Sequence, residues 1–82
     1  MKIEKKQYYI EENGGIFGSP YESKKLAIDI YLKHIKDEEN LSQYWSNHAN
    51  KHREYIKNGK VKVVEIITIS EIQRNEEILE EE

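Results

Sequence analysis

Gln7-Tyr8-Tyr9-Ile10-Glu11-Glu12-Asn13-Gly14-Gly15-Ile16-Phe17 is the stretch that decides the fold. Tyr8 and Ile10 alternate with Gln7, Tyr9 and Glu11, the period of a half-buried strand. Asn13-Gly14 accepts the two positive φ angles of a type I′ turn, so the chain reverses and Ile16 and Phe17 begin an antiparallel partner. Gly18 and Pro20, the sole proline, end that partner or confine it to a sheet edge, because proline has no N–H to give to a ladder.

A hairpin of this kind needs cover on one face, and the next segment supplies it. Leu26, Ala27, Ile30, Tyr31, His34 and Ile35 recur at helical spacing, with Lys24, Lys25, Asp29, Lys33 and Lys36 mostly opposite. Two starts fit this helix. Ser19-Pro20-Tyr21-Glu22 has the form of a capping box with proline at the first helical position, and Ser23 is an equally good cap. Asp37-Glu38-Glu39-Asn40 reads as a polar break. A second helix over 41–57 carries the stripe Leu41, Trp45, His48, Ala49, His52 and Ile56, flanked by Tyr44 and Tyr55, and Asn58-Gly59 stops it. Val61-Lys62-Val63-Val64-Glu65-Ile66-Ile67-Thr68-Ile69 is the most β-prone run and predicts a central strand, since it would be an aggregation hazard as an open edge. Ser70-Glu71-Ile72-Gln73 fits a second capping box and predicts a short terminal helix through Leu79, with residues 79–82 a frayed acidic tail. The expectation is an α+β domain of order ββααβ, in which a three-stranded, mainly antiparallel sheet carries helices on one face.

With 82 residues the chain is one domain over 1–82, and without cysteine it has neither disulfide nor thiolate metal site. No apolar run reaches the roughly 18 residues of a membrane span. Met1 to Gln7 lacks the apolar core of a secretory signal, so a cytoplasmic protein with no membrane partner is expected. Eleven Lys against two Arg, with twelve Ile and six Asn, indicate an AT-rich genome of the kind found in low-GC bacteria and their phages.

Motifs for catalysis are missing. Gly15-Ile16-Phe17-Gly18 has no Gly-Lys-Ser/Thr after it and is a turn rather than a phosphate loop. Serines 19, 23, 42, 46 and 70 show no nucleophile elbow. His48 and His52 stand at i, i+4, a spacing that chelates zinc, and His34 offers a third ligand from the first helix. No Glu follows His48 directly, so the zincin motif is not present, and the three histidines read as medium-sized residues on a partly buried helix face. Neither a metal, a cofactor nor an enzymatic activity is expected.

Charge is more telling. Residues 51–62 hold Lys51, Arg53, Lys57, Lys60 and Lys62 against Glu54, a net of +4, and residues 65–82 hold seven Glu against Arg74, a net of −6. The acidic segment suits a basic groove on another protein, where complementary charge speeds association. Six Tyr, one Trp and one Phe exceed what so small a core buries, which leaves rigid aromatic surface for an interface.

Tyr9-Ile10, Gly14-Gly15-Ile16-Phe17 and Ser23-Lys24-Lys25-Leu26-Ala27 resemble the hairpin and capped helix of small bacterial and phage proteins, a likeness that implies fold and no functional residue. In size, coding bias and lack of catalytic motifs the chain is also similar in style to phage inhibitors of host defence, anti-CRISPR proteins among them. The expectation is therefore a non-enzymatic inhibitor or regulator that occupies a surface on a host protein, itself a candidate nucleic-acid handler. Tyr9, Tyr21, Glu65, Glu71, Glu76 and Glu77 are its expected contact residues. The alternative is a weak nucleic-acid binder using Lys51, Arg53, Lys57, Lys60 and Lys62. A homodimer through Ile66-Ile67-Thr68-Ile69 or the aromatic helix is compatible with either.

Overall fold

A computed structural model describes residues 4–68 and 71–80, apart from the Ser19 side chain. Six elements follow one another: β1 (Lys5–Glu12), β2 (Gly15–Tyr21), α1 (Lys24–Glu39), α2 (Gln43–Lys57), β3 (Val61–Thr68) and β4 (Ile72–Ile78). They form an α+β fold with a four-stranded sheet in the order β2-β1-β3-β4, every neighbouring pair antiparallel.

The opening hairpin forms as its sequence dictates. Asn13 and Gly14 take φ of 48° and 87°, and Glu12 pairs with Gly15 across the turn. β2 continues past Phe17 to Tyr21, because the irregularity between Tyr8 and Ile10 accommodates Gly18 at φ 74° and Pro20 lies on an edge strand. Of the two candidate helix starts, Ser23 is the one used: its hydroxyl accepts from the Leu26 N–H at 3.0 Å. The expected break at Asp37-Glu38-Glu39 is instead the last turn of α1. Glutamate is a good helix former, and Glu38 and Glu39 each meet a cationic or imidazole partner on α2. At the other end of α2, Gly59 N–H donates to Ile56 C=O and Lys60 N–H to Tyr55 C=O, the two bonds of a Schellman turn.

Residues 72–78 correct the sequence expectation. They form an edge strand paired with β3 from Lys62↔Ile78 to Thr68↔Ile72 rather than a terminal helix, and the sheet has four strands instead of three. Ser70, the proposed cap, lies outside the described residues. Pairing satisfies the outer N–H and C=O groups of β3, a demand that local helix grammar does not register. Leu79, assigned to a frayed tail, is buried, and its N–H donates to Val61 C=O at 2.8 Å.

The core lies between the helices and one face of the sheet. Ile10, Val61, Val63 and Leu79 meet Ala27, Tyr31 and Ile35 of α1 and Ala49 and Ile56 of α2, with Tyr8, Phe17 and Tyr21 packed at its margin. The opposite face has no helix, yet Val64 there is fully buried. Arg74 accounts for this. From β4 it reaches across β3 to donate to Tyr9 Oη at 2.8 Å and to Glu11 at 2.6 Å, while also bonding Glu76. Val64, on β3 between Tyr9 and Glu76 in the ladder, is roofed by this network.

Gly59 holds φ 71°, and nothing stands within 4 Å of where its Cβ would be. A Gly59→Ala substitution therefore strains only the backbone. It should lower stability by about 1 kcal/mol, read as a reduced Tm by circular dichroism with an unchanged spectrum.

Candidate functional site

Two features stand out: a polar cluster where the β1–β2 hairpin meets the two helices, and an aromatic patch at the start of α2. The cluster begins with Glu12, the last residue of β1 before the Asn13-Gly14 turn. Its Oε2 accepts from the Tyr31 hydroxyl of α1 at 2.5 Å and lies 2.6 Å from Nδ1 of His52 on α2. An ionised carboxylate only accepts, so Nδ1 carries a proton of His52. The other ring nitrogen, Nε2, faces Oε1 of Glu38 at 3.6 Å. The same Oε1 is also in close contact with Nε2 of His34, one helical turn earlier on α1. Phe17 closes one side, edge-on to Tyr31, His34 and His52 with ring centroids 4.9, 5.1 and 5.8 Å away.

Glu38 is the unusual member. It is the only charged residue in the buried class among those described, at 5% exposure, and its Oε2 has no hydrogen-bond partner there. A buried carboxylate is costly unless fully bonded. His34, Glu38 and His52 bring one ligand atom each to within 4.8 Å of one another. Of the histidine trio singled out by spacing, the cluster takes His34 and His52 and leaves out His48. Glu38 and Glu12 were not foreseen. The signal was legible only in part: Glu38 stands four residues after His34, but its meeting with His52 depends on how α1 packs on α2.

His48 belongs to the second feature. Its ring stacks with Tyr44 and Trp45 at centroid distances of 4.8 and 5.3 Å. Trp45 and Tyr44 are 42% and 62% exposed, and Leu41 is 61% exposed. The stripe expected to face the core is thus covered only in its second half, at Ala49 and Ile56. The reason lies in the crossing of the helices. Glu39, the last residue of α1, is held by a two-pronged bond from Arg53, well past the middle of α2, and the first turns of α2 extend beyond their cover.

The six expected contact residues do not share a surface. Glu65 and Glu77 lie on the helix-facing side, bonded to Tyr8 and Asn75 and to Lys24 respectively. Tyr9 and Glu76 lie on the other face within the Arg74 network, Tyr21 packs beside the core, and Glu71 is exposed in the β3–β4 bend. Arg74 and then Lys62 hold the Glu76 carboxyl below its ordinary range, and the Tyr8 hydroxyl followed by Asn75 does the same for Glu65. Among the basic residues, Arg53 is tied to Glu39 and Lys62 to Glu76, while Lys51, Lys57 and Lys60 are exposed. No helix among the described residues is long and apolar enough to cross a membrane. No family model, curated protein or solved structure matches the chain.

Tyr31→Phe removes a donor from a charged acceptor and should cost roughly 1.5–3 kcal/mol, measured by urea unfolding. Tyr8→Phe should move the Glu65 carboxyl titration upward toward its ordinary value, followed by carbon-detected NMR. A depressed carboxyl stabilises the fold above its unfolded pKa, and that contribution disappears as pH falls through the folded value. Tyr8→Phe should therefore also lessen the loss of stability on acidification.

Proposed function

We propose that this protein is a non-enzymatic binding module whose contact surface is the aromatic patch Leu41, Tyr44, Trp45 and His48. The observation that carries this reading is the exposure of Tyr44 and Trp45 in the first turn of α2, and of Leu41 just before it, while Ala49 and Ile56 further along the helix are buried. Tyr and Trp in mutual contact supply large rigid area at low entropic cost, the composition of interface anchors. The occupant is a protein with an apolar groove, since an amphipathic helix end offers apolar anchors at helical spacing to such a groove. The charged positions then act mainly on solubility and on the rate of encounter, because Glu11, Glu76 and Glu77 are bonded to cations within the fold. Inhibition of a host protein, the phage-type activity, is the form in which occupying that surface is itself the function.

Exposed Trp45 and Tyr44, with Lys51 exposed about two turns further along α2, also suit base stacking with phosphate contact, so nucleic acid is the outcome to be separated. Net charge of −3 weighs against it. The test is capture with tagged protein from a lysate of the organism that encodes it, with and without nuclease. A Tyr44→Ala/Trp45→Ala variant should lose a nuclease-resistant protein partner by roughly 30-fold or more in affinity, the effect of removing a hot spot. A variant with Glu71, Glu76 and Glu77 each changed to Lys should retain it. Equal capture by the aromatic variant overturns the proposal, and loss of all captured material on nuclease treatment replaces it with nucleic-acid binding.

A further inference from the structure

We infer that His34, Glu38 and His52 form a binding site for a zinc-class divalent cation, with Glu12 as the group that orients His52. The inference is independent of the aromatic patch and rests on the convergence of three ligand atoms. His52 donates its Nδ1–H to Glu12, which leaves Nε2 as the ring nitrogen directed at Oε1 of Glu38, 3.6 Å away. His34 brings a second Nε2 to the same oxygen. Three atoms able to coordinate a cation thus converge from two helices. Two imidazoles and one carboxylate are a zinc donor set, and the absence of thiolate sulfur excludes the soft-metal alternatives.

Two further observations point the same way. The Glu12–His52 pair has the form of the carboxylate–histidine–metal triad, in which the outer carboxylate fixes the tautomer and turns the free nitrogen toward the ion. Tyr31 in turn fixes Glu12. Separately, Oε2 of Glu38 is buried and lacks a partner among the described residues, and a water on the ion would supply the donor it needs. Around a zinc ion with ligands at about 2.0–2.2 Å the donor atoms stand roughly 3.4 Å apart. The 3.6 Å between Nε2 of His52 and Oε1 of Glu38 already stands near that value, and the His34 side chain is 46% exposed. An ion here would tie α1 to α2 and, through Glu12, both helices to the end of β1.

Purified chain stripped with a chelator and titrated with zinc should bind one ion per molecule by calorimetry. Its Tm should rise with zinc and return on adding EDTA. Cobalt in place of zinc should give the intense visible bands of tetrahedral nitrogen and oxygen ligation. His52→Ala and Glu38→Gln should abolish the bands, and Glu12→Gln should weaken binding about 10–100-fold. His48→Ala, outside the cluster though four residues from His52, should bind as the parent does. His34→Gln, at the exposed edge, keeps the test valid if the buried variants fail to fold, and it too should lose the ion. No binding by the parent protein overturns the inference, as does binding that His34→Gln leaves intact or that His48→Ala removes.

Discussion

Ile10 and Val63 face each other across the β1–β3 ladder, and the apolar side of the fold is organised around that pair. Phe17 joins Ile10 from β2, Tyr31 and Ile35 come down from α1, and Leu79 seals the side toward β4. Each fully buried aliphatic side chain contributes roughly 1.5–3 kcal/mol, and a chain without disulfides has little else to draw on. Everything that follows is set by this one-sided arrangement. A sheet covered on a single face needs another device to protect the other, and Arg74 with its three bonds serves as that device above Val64.

The polar cluster sits where this core runs out. Glu12 ends the strand that carries Ile10, so its carboxylate emerges at the rim of the core, where Tyr31 and His52 from the helices bond it. Packing of Phe17 over the two imidazoles keeps the rim dry on one side. A carboxylate such as Glu38 tolerates that environment when its oxygens are bonded, and one of them is not. Tight packing and an unmet electrostatic demand at the same place distinguish the cluster from the exposed ion pairs elsewhere, such as Lys62–Glu76, which contribute little.

The aromatic patch has a different origin. α2 carries one continuous apolar face, but the core beneath it is shorter than the helix. Ala49 and Ile56 find cover, and Leu41, Tyr44 and Trp45 do not. Large apolar groups left out of so small a core raise the cost of staying unpartnered, which is why the patch and not the charged strand is read as the contact surface.

The local features of the fold were written in neighbouring residues. Asn13-Gly14 sets the hairpin, Ser23 caps α1, Asn58-Gly59 ends α2, and the Val61–Thr68 run makes a strand, because turn, cap and strand preferences act within a few residues. Long-range pairing decided the rest. Ile72 to Ile78 carries a capping-box start but becomes a strand, since the open edge of β3 offers it a ladder. His48 and His52 share a helix face, yet only His52 joins His34 and Glu38, because α1 crosses α2 beside His52 and leaves His48 to the exposed end. The sequence by itself determined where the turns, caps and donor-bearing side chains lie; only the tertiary structure decided which of them meet, because that depends on helix crossing and strand order, which no short window of residues encodes.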